Sequence, residues 1–298
     1  MMKNLVLIMI LLLPVPTLGA EVLQLKHAAS IYTDVAGVEI KQPEGVACRD
    51  KTLLIVSDTA NGRIRPYSLQ DDGTIKPGAE MKVSQITYPQ RVRLNSKNEI
   101  FVLDGKQHRI LRLSPAGEFK GYVEPEGLPA PAAWIPKNFE IDANDALYIL
   151  DVFSSRVLIV GPEGKFQKQI GLPADAGFIS DLAVDPQGTI FLINSVTATV
   201  YTAGRDAKAF SPLTKGLKEY SNFPTALAAD KKYIYVVDQN GSGIVVLGKD
   251  GSFKGRKLRM GWKEGELRYP SDICLDEKGD VFIADRGNNR VQMYIKEE

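Results

Sequence analysis

Histidine, cysteine and tryptophan each occur only twice in 298 residues. His27 and His108 form no HExxH pair, and no serine sits in a GxSxG elbow. Glycine never assembles a Walker-type phosphate loop, and Cys48 and Cys274 lie too far apart for a CxxCH haem attachment. Excess charge of one sign is also missing, with 37 Lys and Arg against 36 Asp and Glu. A balanced surface offers no general attraction to nucleic acid, anionic lipid or acidic polymers, so none of these is an expected partner. No segment has the pattern of a long amphipathic helix. The one strongly apolar run, residues 5–15, is too short for a comfortable membrane span.

That run has another meaning. It follows a cationic MMKN start and precedes the small residues of PTLGA, the pattern of an export signal over residues 1–20 with cleavage after Ala20. No cysteine follows Ala20, so a lipid anchor is not expected. The product, residues 21–298, is expected to be a single domain outside the cytoplasm, periplasmic or extracellular.

Within it, a short apolar strand ends six times in Asp or Asn, at Asp58, Asp104, Asp151, Asn194, Asp238 and Asp285. A spacing of this kind marks one repeated supersecondary unit. Each unit opens on Pro, at 43, 89, 136, 224 and 270, with Ile179 in the fourth. A first strand and a turn such as DPQG or DEKG follow. The second strands, LLIVSD, IFVLD, LYILD, IFLIN, IYVVD and VFIAD, are continuous apolar runs, the signature of a strand covered on both faces. A tight turn leads to a third strand opening on Arg63, Arg109, Arg156 or Arg290, with Thr199 and Gly243 in the two variant units, and a more polar fourth strand completes the unit. Four antiparallel strands per unit and six units predict an all-β, six-bladed β-propeller. The sixth unit stops after its third strand, so the segment Leu23 to Thr33 is expected to supply the missing edge and close the ring.

Ring closure makes the first and sixth blades neighbours, and Cys48 and Cys274 both lie on first strands there. Parity allows both side chains to enter the shared interface, so they are either a disulfide or two buried free thiols. Asp and Arg flanking each second-to-third-strand turn recur with the blade and are expected to serve its architecture.

The segment YPSDICLDEKGDVFIADRGNNRVQMY (269–294) closely resembles the NHL repeat, as do QPEGVACRDKTLLIVSDTANGRIRPY in the first unit and YPQRVRLNSKNEIFVLDGKQHRILRL in the second. The resemblance runs over about residues 42–295 and weakens in units four and five, which lose the Arg after the turn. It implies a six-bladed propeller, in a family that mainly supplies binding platforms. Related propellers include lyases and lactonases with a metal in the central channel. The amidating lyases among them rely on several histidines around zinc, which this chain does not have.

Positions that differ between units are the candidates for function. Two residues after each opening position stand Gly45, Arg91, Asn138, Asp181, Ala226 and Asp272, expected at the channel rim. By likeness to the lactonases, Asn138, Asp181 and Asp272 have the oxygen chemistry of calcium ligands, although Arg91 on the same rim opposes a cation. Arg93 and Glu140, one step deeper on adjacent blades, are expected to pair. Three inter-blade loops are enlarged and carry Trp134, Trp262, Tyr220, Arg259 and Arg268, of the residue types that dominate binding hot spots, and Lys137, just after the first of these loops, is expected to complete the patch. The resulting expectation is a non-catalytic scaffold without a cofactor that binds a protein or peptide, less readily a glycan, on its loop face. The alternative is a Ca2+-dependent channel enzyme, a lactonase-like hydrolase or a lyase.

Overall fold

The computed structural model describes residues 23–49, 53–174 and 177–297; the expected export signal lies outside them. Six antiparallel sheets, each of four strands, follow one another around a ring. The second strands explain why. In Leu147–Asp151 all five residues are buried, as they are in Ile100–Asp104, Ile190–Asn194 and Val281–Asp285. Such strands need apolar cover on both faces, and flanking blades provide it. Each cluster of the core accordingly joins side chains from two adjacent blades. Outer strands see solvent and alternate, as Phe166–Gly171 does.

Ring closure follows the sequence expectation. Gln24–Ile31 pairs antiparallel with Arg290–Glu297, so the sixth sheet takes its outer strand from the beginning of the chain. Between Gly45–Arg49 and Asp272–Leu275, the first strands of blades 1 and 6, Cys48 and Cys274 form a disulfide with their Cα atoms 5.9 Å apart.

The ring has two unlike faces. On one, the loop face, lie the inter-blade loops and the turns between second and third strands; the opposite face carries the remaining hairpin turns. Each loop-face turn ends on a residue of positive φ, from Gly62 (65°) through His108 (52°) and Ser155 (51°) to Asn289 (53°). His108 is thereby a backbone element of a turn.

The repeated Asp ties these turns to the loops. Asp104 accepts hydrogen bonds from the Thr87 and Tyr88 amides at 2.6 and 2.9 Å, and from the turn amides of Lys106 and Gln107 at 3.0 Å each. Burial pushes its carboxyl up, but those amides outweigh burial and hold it below the ordinary carboxylate range. Asp58, Asp151 and Asp285 take Arg63, Arg156 and Arg290 as partners at 2.6, 2.9 and 2.8 Å. Both departures from the Arg pattern have a physical reason. Asn194 carries no charge to balance, and in blade 5 Arg256 of the outer strand reaches Asp238 at 2.7 Å in place of the missing third-strand arginine. Blade 2 differs again, because Arg109 turns outward to Glu124 at 2.6 Å.

Candidate functional site: a plugged channel under an apolar loop face

Four of the six rim positions converge in the channel. Gly45 of blade 1 and Ala226 of blade 5 leave space there, and Arg91 of blade 2 fills it. A β-carbon at Gly45 would stand 3.0 Å from the Arg91 Cα, so the first strands of blades 1 and 2 approach closely where blade 1 has no side chain. Arg91 donates to Asn138 Oδ1 at 2.9 Å, lies 3.2 Å from Asp181 Oδ1, and pairs directly with Asp272. Asn138 in turn donates to Asp181. Both carboxylates are fully buried and bridge to the next blade: Asp181 accepts the Leu227 amide at 2.7 Å and Asp272 the Val46 amide at 2.9 Å. These bonds satisfy backbone donors on inner strands that would otherwise face the channel as open edges.

The next layer repeats the theme. Arg93 binds Glu140 at 2.7 Å and Asp272 Oδ2 at 3.1 Å. Burial works against the Arg93 charge, yet Asp272 and Glu140 outweigh it and raise its affinity for the proton. Asp181 behaves in the opposite way. Burial pushes its carboxyl up to about 6 even though Arg91 and Arg93 favour the charged form.

The arrangement is a poor fit to a metal. Calcium asks for six to eight oxygens around an open centre, whereas the oxygens of Asn138, Asp181 and Asp272 are already turned on a guanidinium. Among the described residues, no group of three or more His, Cys, Asp or Glu side chains is placed to hold an ion. The layer divides the channel into a mouth of about 270 Å3 on the loop face and a recess of about 190 Å3 on the other, the latter reaching Arg93, Glu140 and both cysteines.

The loop residues do not form one patch. Trp262 is 72% exposed, with the Arg268 guanidinium 5.4 Å from its ring and the same guanidinium 5.9 Å from Tyr269. Arg259, in the same loop, pairs with Glu266 at 2.9 Å. Trp134 lies across the ring, half-buried against the core shared by blades 2 and 3. Tyr220 stacks on Phe253 with ring centroids 3.8 Å apart, and the Lys137 ammonium lies 5.7 Å from the Phe178 ring centroid.

Sequence reasoning from tryptophans missed the larger feature. Among the described residues, every exposed large hydrophobic except Phe253 and Ile295 sits in a loop or turn of the loop face. They include Val35, Ile135, Phe153, Phe178, Val196 and Met260. The signal was in plain sight in the turns, where VFSS and SVTA carry apolar residues at positions that GKQH and QNGS leave polar.

Comparison with known proteins agrees with the geometry. Residues 267–294 match the NHL repeat. The chain is a six-bladed β-propeller in which that one segment matches the repeat. The chain is 28% identical over 127 residues to NHL repeat-containing protein 3 of Mus musculus, covering 40% of this chain and 35% of that protein. It spans no more than about a third of the curated relatives it matches. Among solved structures, a gluconolactonase from Xanthomonas campestris, XC5397, superposes with a TM-score of 0.63 at 15% identity, over 92% of this chain and 97% of that one. The WD40 propeller domain of Doa1 does so with a TM-score of 0.58 at 10% identity, over 92% and 97%. At such identities the likeness is one of fold, and propellers of this shape serve catalysis and scaffolding alike.

Proposed function

We propose that this propeller is a non-catalytic scaffold of the NHL type that docks a protein partner on its loop face, outside the cytoplasm. The observation that carries this reading is the concentration of exposed apolar side chains on that one face. Scattered single hydrophobics are ordinary on any surface, but their segregation to one end of a ring marks an interaction site. The rim of Lys137, Arg259 and Arg268 among those apolar groups suits the mixed character of a protein interface. The plugged channel supports the same reading, since the charged groups of the plug, Arg91, Arg93, Glu140, Asp181 and Asp272, are spent on one another. Export is supported by the leader pattern and by a disulfide, a bond of oxidising compartments.

Pull-down from the native envelope or culture medium tests it, with Trp262→Ala and Phe153→Ala proteins beside the unaltered one. Loss of a buried aromatic anchor is expected to weaken capture by roughly thirtyfold. Capture undiminished by either substitution would sink the loop-face reading. The likeness of fold to a gluconolactonase keeps one alternative, a metal-dependent channel hydrolase or lyase using Asn138, Asp181 and Asp272. Elemental analysis separates the two, because that enzyme requires about one tightly held calcium or zinc per chain.

A further inference from the structure

The channel mouth contains residues that blade architecture does not explain. In blades 2 to 5 the pairing of first and second strands slips immediately after the opening position, and the residues left over are Gln90, Lys137, Ser180 and Thr225. A bulge leaves its extra residue outside the ladder and re-aims the side chain. All four bulge residues line the mouth cavity above Arg91.

Among the described residues, several polar groups of the mouth lining have no hydrogen-bond or ion-pair partner. The Lys137 ammonium makes no ion pair among the described residues and rests beside the Phe178 ring. Thr225 Oγ1 is buried without a hydrogen bond. The side-chain amide of Gln90, and that of Gln239 from the blade 5 turn, line the same space and make no hydrogen bond among the described residues.

The remaining groups are committed. Ser180 is held by Ser195 at 2.7 Å, and Ser271 donates to the Pro43 carbonyl at 2.9 Å. Across the cavity, Glu44 accepts from Tyr88 at 2.7 Å and pairs with Arg286 at 3.3 Å. Beneath, Arg91 is spent on Asp181 and Asp272. Among the described residues, what faces an incoming group is one cation without an ion pair, three donors without a hydrogen bond, and two phenylalanine walls, Phe178 and Phe223.

We propose that the mouth is a carboxylate socket, which receives a carboxylate presented by the docked partner between Lys137 and Thr225, with the adjoining apolar carbons against Phe178 and Phe223. The inference rests on the docking reading above. At about 270 Å3 the cavity lies just below the range of about 300–1,000 Å3 typical of small-molecule sites, a size for one side chain or chain terminus. A carboxylate is the complement of an unpaired ammonium beside free donors, and charge-assisted bonds of this kind outweigh neutral ones.

Three probes titrated into the purified protein test the socket, with the side-chain amide NMR signals of Gln90 and Gln239 as the readout. N-acetyl-L-phenylalanine offers a terminal carboxylate, N-acetyl-L-phenylalaninamide offers none, and N-acetyl-L-aspartic acid α-amide offers one on a side chain. The acid is expected to bind at least about tenfold more tightly than its amide, and Lys137→Met to abolish that preference at unchanged melting temperature. Binding of the aspartate probe as well assigns an acidic side chain as a source; binding of the terminal acid alone assigns a chain terminus. Equal affinity for acid and amide, no saturation by either acid at tens of millimolar, or a preference that survives Lys137→Met overturns the socket. Its failure is distinguishable from failure of the docking reading. Without acid preference but with capture weakened by Trp262→Ala, only the socket falls; acid preference with undiminished capture refutes only the docking.

Discussion

Replacing Arg91 by Met removes the cation at the centre of the channel while keeping an unbranched chain of similar reach. In the folded protein Arg91 faces Asn138 at 2.9 Å, Asp181 at 3.2 Å and Asp272 in direct contact, all buried. Breaking a buried ion pair by deleting one partner costs about 3–5 kcal/mol, because the other charge is left without compensation. Here two carboxylates lose their shared partner, and Arg93 remains bonded to Asp272 alone among them. For a chain of this size such a loss lowers the melting temperature on the order of 10 °C. Protonation offers partial escape. The Asp181 carboxyl already titrates near 6, and without Arg91 its pKa rises further, so the variant's native state binds a proton that the unfolded chain releases. By linkage its stability then falls as pH rises through that range. Urea unfolding followed by tryptophan fluorescence at pH 5 and pH 8 reads both effects: a loss of about 3 kcal/mol or more at pH 8 and a clearly smaller one at pH 5. A loss below about 1 kcal/mol at both values would refute the view that this network holds the ring. Equal losses at both would refute the protonation of Asp181.

In the unaltered protein, Asp181 itself is expected to titrate near pH 6 by carboxyl NMR. Its folded pKa lies above the unfolded value, so the stability it contributes is complete below about pH 4 and is lost as pH rises through about 6. A midpoint below 4 would contradict the burial argument. Asp104→Ala strands the Thr87, Tyr88, Lys106 and Gln107 amides and should cost roughly 3 kcal/mol in thermal or urea unfolding with partner capture intact; lost capture at unchanged stability would overturn its architectural role. The denatured, unreduced protein should show no free thiol. Cys48→Ser is expected to lower stability on the order of 5 kcal/mol in the loop-entropy model, since the bond spans 226 residues; two titrating thiols would refute the bond.

The fold was legible because its information is local and repeated. Each second strand, such as LYILD, states by its continuous apolarity that both faces are covered, and the closing strand was findable because blade 6 visibly lacked an edge. The channel was legible only as a set of positions. Arg91 meets Asp272 from 181 positions away along the chain, and nothing near either residue announces the encounter. Gly45, where the missing side chain lets the backbone of blade 2 approach closely, shows in the sequence only as a rim position with nothing to contribute. The tryptophans show the same limit. Trp134 and Trp262 sit in similar enlarged loops, yet one tucks into the core of blades 2 and 3 and the other stands 72% exposed, because the direction of a loop side chain depends on neighbours from other blades. The bulges that aim Lys137 and Thr225 at the mouth are likewise properties of pairing between strands.

The pairing of Gln24 with Glu297 fixes how the molecule can be held. The first strand begins, and the last strand finishes, at the face opposite the apolar loops. A tether joined at either Gln24 or Glu297 leaves from the back of the ring, so a short one leaves the hydrophobic front uncovered.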